Sequence, residues 1–211
     1  MTILDDISTA VQTGDFINVG TYVQQAIDDG IASQEILNDG LMAAMNIVGT
    51  KFKNNEAFIP EVLLAARAMN VGTGLLKPLL AQEGASARGK AVIGTVKGDV
   101  HDIGKNLVRM MLEGKGIEIK DLGVDVSAEA FVEYLKDNDD VTLVCFSALL
   151  TTALSALEAS VQAIIDAGLR DQVKILVGGA PVTQELADRI GADGYSPDAA
   201  SAAEKAVELL G

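Results

Sequence analysis

The chain has one cysteine, one histidine, no tryptophan, five phenylalanines and three tyrosines. Each scarcity removes a class of chemistry. A single thiol, Cys145, excludes an intramolecular disulfide framework and any cysteine-clustered zinc or iron–sulfur site. Its place in the apolar run 141–146 marks it as a core thiol rather than a nucleophile. With aromatics at 4%, the core must be built from Ala, Val, Ile, Leu and Met. Basic residues are also few: 16 Lys and Arg against 30 Asp and Glu give a formal charge of −14. That balance opposes nucleic acid and anionic membrane surfaces, both of which demand basic patches. No apolar run is long enough to span a bilayer, and no basic segment followed by an apolar one opens the chain, so a cytoplasmic location is expected.

What is present is a chain of 211 residues, 49% hydrophobic, enough for one large domain or two small ones. Residues 1 to about 81 carry helical periodicity and no strand signal. Ile3, Leu4, Ile7, Ala10 and Val11 keep one face, and Gly14 stops that helix. Phe16, Ile17, Tyr22, Val23, Ala26 and Ile27 form a second stripe, closed by Asp28-Asp29-Gly30. Ser33 is the expected N-cap of a third helix, with Ile36, Leu37, Leu41, Met42, Met45 and Val48 on its inner face. A fourth should start near Pro60 and bury Val62, Leu63, Ala66 and Met69. Four short helices with tight connections suggest a small bundle. Residues 82–89, small and polar with two glycines, read as an interdomain linker, and the charge is negative on both sides of it.

From Lys90 onward strand and helix signals alternate. Strands are expected at 90–96, 117–122, 141–146 and 173–177, with a short one near 192–195. Helices are expected at 104–114, from Ser127 to about Lys136, at about 153–167, at 183–190 and at 198–210. The pattern implies an α/β domain: a doubly wound, five-stranded parallel sheet with right-handed crossovers, flavodoxin- or Rossmann-like. In the strand order 2-1-3-4-5 a crevice opens between strands one and three, and the loops after those strands carry His101 and Ser147.

The first of these loops, Gly98-Asp99-Val100-His101-Asp102-Ile103-Gly104-Lys105-Asn106, holds the only histidine. It is not a phosphate loop. Gly98 and Gly104 are separated by five residues and Lys105 precedes Asn106, so G-x-x-x-x-G-K-[ST] fails twice, and no G-x-G-x-x-G exists in the chain. A triad of His101 with Ser147 lacks the glycines of a nucleophile elbow. Two readings stay open. His101 is an ordinary loop residue, or it is a metal-ligating imidazole with Asp99 to fix its tautomer. One imidazole cannot hold a bare ion tightly, so in the second reading the metal arrives inside a macrocycle. The other loops bear on the choice. Ser147-Ala148-Leu149-Leu150-Thr151-Thr152 offers small hydroxyls, which could equally cap the next helix, and Gly178-Gly179 permits close backbone approach, as a plain turn also would.

The combination D-x-H-x-x-G, S-x-L and G-G on successive loops resembles the cobalamin-binding domain of corrinoid proteins. The resemblance covers nearly the whole chain. The segment Phe58-Ile59-Pro60-Glu61-Val62-Leu63-Leu64-Ala65-Ala66 looks like the helical cap that precedes this domain in methionine synthase. Closer still are the small corrinoid proteins of methanol, methylamine, glycine betaine and methoxyaromatic methyltransferase systems. The implied organisation is a four-helix cap with its linker over 1–87 and a cobalamin-binding α/β domain over 88–211.

The resemblance also implies roles. His101 would be the lower axial ligand to cobalt, displacing the cofactor's dimethylbenzimidazole tail, with Asp99 hydrogen-bonded to it. Val100, Asp102 and Ile103 complete the cofactor-binding loop, and Gly104 would let the tail thread past its helix. Ser147, Leu149, Thr151, Gly178 and Gly179 would line the tail's channel, Ala199 would lie at its nucleotide end, and Phe58 would cover the methyl-bearing face. One departure stands out. Methionine synthase has a further serine six positions after the first serine of S-x-L, and here that position is Ala153, which puts a proton relay in doubt unless Thr151 or Thr152 substitutes.

The function so implied is a corrinoid methyl carrier. Cob(I)alamin would accept a methyl group from a substrate methyltransferase. Methylcobalamin would pass it to a second methyltransferase acting on a thiol or on tetrahydrofolate, with a reductive activase as a further partner. No residue set for activating donor or acceptor is visible, so the chain should not turn over alone. A mutase cobalamin-binding subunit would share the sheet domain but leaves the helical cap unexplained. A cobalamin-dependent sensor would carry cap and sheet, yet no signalling module is visible. A flavodoxin-like module without corrin would make His101 incidental.

Overall fold

The computed structural model describes residues 2–82 and 88–211. They fall into two compact units, one helical and one α/β. The expected linker at 82–89 lies for the most part outside the described residues.

In the helical unit, α1 (Ile3–Gln12) starts at a capping box. The Thr2 hydroxyl accepts from the Asp5 N–H, and the Asp5 carboxylate accepts from the Thr2 N–H at 2.7 Å. The helix buries Ile7, Ala10 and Val11, and Gly14 follows it with φ +70°. The next helix, α2 (Asn18–Asp28), buries Val19, Val23 and Ala26. Ile17, expected on that inner stripe, precedes the helix and is 73% exposed. The third expected helix is three pieces: α3 (Ser33–Glu35), a π-helical segment (Ile36–Met42) and α4 (Ala43–Lys53). Its N-cap is Ala32, not Ser33, which is buried as the first helical residue. The wider π turns bury Ile36, Gly40 and Leu41 and reset the phase that a single stripe assumed. The fourth helix is not short. It is α5 (Ile59–Gln82), which buries Val62, Ala65, Ala66, Ala68, Met69 and Leu76 and leaves Leu63 40% exposed.

The α/β unit holds five strands: β1 (Gly89–Thr95), β2 (Ile117–Asp121), β3 (Leu143–Ser147), β4 (Lys174–Gly178) and β5 (Gly194–Ser196). All are parallel, as the alternation of elements implies, and their order is β2-β1-β3-β4-β5. Between them run α6 (Ile103–Glu113), α7 (Ala128–Asp137), α8 (Leu154–Asp166) and α9 (Gln184–Ile190), and α10 (Ala199–Leu210) closes the chain. Ser127, Thr183 and Asp198 cap α7, α9 and α10 through their side chains.

Alternate strand residues serve the two faces. Val92, Val144, Phe146, Ile175 and Val177 share one core with Phe131 and Leu135 of α7, Leu157, Val161 and Ile164 of α8, and Leu186 of α9. Gly94 makes room there: a Cβ on it would lie 2.6 Å from the Phe131 ring, which packs edge-on against Phe146 with centroids 4.6 Å apart. The opposite face carries Ala91, Ile93, Thr95 and Cys145, and α6 and α10 pack together over the strands. Burial pushes the Cys145 thiol up to about 12, as a core thiol requires. No helix among the described residues is long and apolar enough to cross a membrane.

Register places one row of small residues at the carboxyl ends of four strands. Thr95 pairs with Ser147, Ser147 with Gly178, and Gly178 with Ser196. The candidate site is built along this row.

Candidate functional site

β1 ends at Thr95 and α6 begins at Ile103, so Asp99 and His101 lie in the connecting loop at the strand's carboxyl end. Asp99 is wholly buried and His101 is half exposed. The Asp99 Oδ1 accepts the His101 main-chain N–H at 3.0 Å and lies 2.7 Å from the ring Nδ1. Its other oxygen, Oδ2, accepts the main-chain N–H groups of Leu149 at 2.6 Å and Leu150 at 3.0 Å. Burial alone would raise this carboxyl's pKa. The hydrogen bonds from the His101 N–H, the Leu149 N–H, the His101 ring and the Leu150 N–H more than offset it and hold the carboxyl at about 2. Asp99 is therefore ionised and can only accept, so Nδ1 carries the proton. In the neutral ring that leaves Nε2 as the lone-pair nitrogen, and no hydrogen bond joins it to a described residue.

The His101 loop and the loop after β3 also carry exposed apolar side chains. Val100 is 69% exposed, Ile103 70%, and Leu149 and Leu150 are also exposed. Large apolar side chains are thus exposed on the two loops that the Asp99 hydrogen bonds tie together. A Cβ on Gly104, in the first turn of α6, would meet nothing within 4 Å, so space stands open beside that helix. Asp102, just before α6, accepts from the Asn106 side chain and steadies the helix start. Among the described residues, no three of His, Cys, Asp and Glu gather to hold a bare metal ion. A metal here would bring its other ligands with it. A macrocycle-bound metal suits this donor set: one imidazole, a buried carboxylate bonded to it, exposed apolar side chains on the two loops and open space at Gly104.

The structure brings together most of the residues singled out from sequence. Asp99, His101, Leu149 and Leu150 are joined by the hydrogen bonds above. Ser147 and Gly178 are register partners, and Ala148 N–H bonds the Gly178 carbonyl at 3.1 Å. Gly179, at φ +128°, passes so close to Ala148 that a Cβ would lie 1.8 Å from its carbonyl oxygen. This glycine is required by its neighbouring loop before any ligand is considered. Ala199 is buried at the start of α10. Phe58 belongs to the helical unit, just ahead of α5, and is 66% exposed. Neither Ser147 nor Thr151 caps a helix: the caps are Leu150 and Ala153, without a side-chain bond.

Two features differ from the sequence expectation or escaped it. Neither Thr151 nor Thr152 bonds Asp99 in place of the missing serine: among the described residues Asp99 accepts only from His101 and from main-chain amides, and Ala153 is buried. And the histidine loop is held from below by residues without a motif. The buried Thr95 hydroxyl donates to the His101 carbonyl at 2.8 Å, and Asp125 bonds both Gly98 and Asp99. The register row pointed to Thr95; nothing in the sequence pointed to Asp125.

Against known proteins, two models of a B12 binding domain match the chain, one over residues 89–204 and another over residues 3–77. The chain belongs to the B12-binding corrinoid proteins. Cobalamin is accordingly its cofactor. A corrinoid protein of Desulfitobacterium hafniense (strain Y51) is 39% identical over 214 residues, covering 100% of this chain and 99% of that protein. The dimethylamine corrinoid protein of Methanosarcina barkeri is 48% identical over 179 residues, covering 83% of each. Among solved structures, the methanol:cobalamin methyltransferase complex MtaBC from Methanosarcina barkeri contains a chain that matches with a TM-score of 0.86 at 28% identity. That match covers 99% of this corrinoid protein and 79% of the other chain. The match to that chain and the two domain models together span both the helical unit and the sheet unit found here.

Proposed function

We propose that this corrinoid protein is the methyl carrier of a multi-component methyltransferase system. The observation that carries the proposal is the His101–Asp99 pair: a buried, ionised carboxylate 2.7 Å from Nδ1 of a half-exposed ring, which leaves Nε2 as the lone-pair nitrogen when the ring is neutral. His101 would hold cobalt from below through Nε2. Asp99 would fix the ring's tautomer and orientation and keep its donor strength up. Val100, Ile103, Leu149 and Leu150 would floor the macrocycle and exclude water. Asp102, Gly104, Ser147, Thr151, Gly178, Gly179 and Ala199 would border the displaced nucleotide tail. Residues 1–87, Phe58 among them, would act as a cap, while residues 88–211 act as the cofactor-binding domain. When bound, cobalamin supplies a cobalt that takes up and gives up a methyl group; the protein supplies ligation, shielding and access.

The partners of this reading are a substrate methyltransferase, a second methyltransferase that delivers the methyl group to a thiol or to tetrahydrofolate, and a reductive activase. The relatives named for dimethylamine and the likeness to a chain of a methanol methyltransferase complex support a methyltransferase partner. The test is transfer of a labelled methyl group. The cobalamin-loaded, reduced chain is mixed with a methylamine or methanol donor and the corresponding methyltransferase. Label appearing on the corrinoid protein supports the carrier role, and no transfer from any such donor contradicts it.

A further inference from the structure

Asp125 lies in the loop after β2, two residues past Gly123, and has no part in the sequence motifs. It is exposed, yet it adopts φ +54°, a left-handed conformation that Asp tolerates better than most residues but that still carries a cost. Three interactions hold it there. Its Oδ1 accepts the Gly98 N–H at 2.7 Å, its own N–H donates to the Asp99 carbonyl at 2.9 Å, and the next residue, Val126, donates to the Thr95 carbonyl at 2.9 Å. Asp125 thus grips the main chain of Asp99 and of the residue before it. The Leu149 and Leu150 amides grip the Asp99 carboxylate from the other side. A carboxylate can present one oxygen to His101 and the other to those amides only if its backbone is fixed in both position and direction.

We propose that Asp125 is a positioning residue for His101, acting through the Asp99 backbone, so that a left-handed turn in one loop sets the orientation of the imidazole in the next. The proposal rests on the reading of His101 as the axial ligand. Its mechanism, however, is a property of the chain without cobalamin. What Asp125 contributes is an acceptor oxygen at a set place on a left-handed backbone, not its charge. Asparagine tolerates the same backbone and keeps an acceptor. Glutamate keeps the charge but moves the acceptor by one methylene, and glycine keeps the backbone while removing the acceptor.

The test uses the single histidine, whose ring signals in the full chain are unambiguous. In 15N-labelled protein without cobalamin, the Nδ1–H of His101 is observed, and its exchange with water is measured in wild type, D125N, D125E and D125G, with thermal melting recorded alongside. The expected order of exchange is wild type and D125N slowest, D125E faster, and D125G faster than wild type by about tenfold or to the point of disappearance. Three outcomes overturn the proposal: a D125G signal that exchanges as in wild type, a lowered melting point with all exchange rates unchanged, or D125E behaving as wild type while D125N loses the signal. If D125G does not fold, the order of D125N and D125E decides. A failure of His101 to ligate cobalt would show in the cofactor's spectrum and leave this readout untouched.

Discussion

The Nδ1 of His101 lies 2.7 Å from the Oδ1 of a wholly buried Asp99, whose other oxygen is taken by two amides of the loop after β3. One carboxylate thus orients the imidazole and ties two sheet loops together, and it accepts four hydrogen bonds. Asparagine offers one acceptor oxygen, so D99N must turn an N–H toward either the Leu149 and Leu150 amides or the His101 ring. The expected loss is about 1–3 kcal/mol of unfolding free energy in urea and roughly 10- to 100-fold in cobalamin affinity by titration. A D99N chain as stable and as tightly bound as wild type would contradict this role.

The same carboxylate predicts an acid sensitivity in the chain without cofactor. Its folded-state pKa, about 2, lies below the ordinary value of 3.8. A depressed carboxylate contributes stability that is present above the unfolded value and is lost as pH falls through the folded one. Asp99 should therefore contribute about 2 kcal/mol at pH 6, fading between about pH 4 and pH 2. Urea titrations of wild type and D99N should converge across that window. Curves that stay parallel would argue against the buried, ionised state.

Two glycines of the site should behave oppositely. G179A must place a Cβ where the Ala148 carbonyl oxygen already lies, at φ +128°, and should cost about 3 kcal/mol or more in denaturant. G104A meets nothing and sits in a helix, so the chain without cofactor should gain up to about 1 kcal/mol. If the nucleotide tail uses the space beside Gly104, the same variant should bind cobalamin more weakly. Equal affinity would remove Gly104 from the site.

Cys145, buried with its thiol pushed up to about 12, should resist labelling by a thiol-reactive disulfide at pH 8 and react fully in denaturant. Rapid native labelling would show that β3 opens at its centre.

The five-stranded parallel sheet and the pairing of Asp99 with His101 were legible because both rest on side-chain type at fixed spacing. Five apolar runs alternating with helical stripes admit few parallel topologies, and a carboxylate two residues from an imidazole in a tight loop can turn back to it. The hold on Asp99 from the other loops was not legible. Leu149 and Leu150 contribute main-chain N–H groups, which every residue but proline has, so no residue type signals them. Asp125 reads as a plain turn residue until its left-handed backbone brings its oxygen to Gly98. Ile17 and Leu63 were misplaced for a different reason: a stripe of apolar residues fixes a helix face only to within one neighbour, and tertiary packing chose Val19 and Ala65 instead. The π-helical segment shifts phase within one helix, which a constant period of 3.6 cannot express.

The central claim is that His101 ligates the cobalt of bound cobalamin through Nε2. The most direct measurement is the visible spectrum of the reconstituted full chain, wild type against H101A. Wild type should give a histidine-ligated spectrum, and H101A should give weakened binding and a spectrum without the histidine ligand. Identical binding and identical spectra for the two would contradict the account.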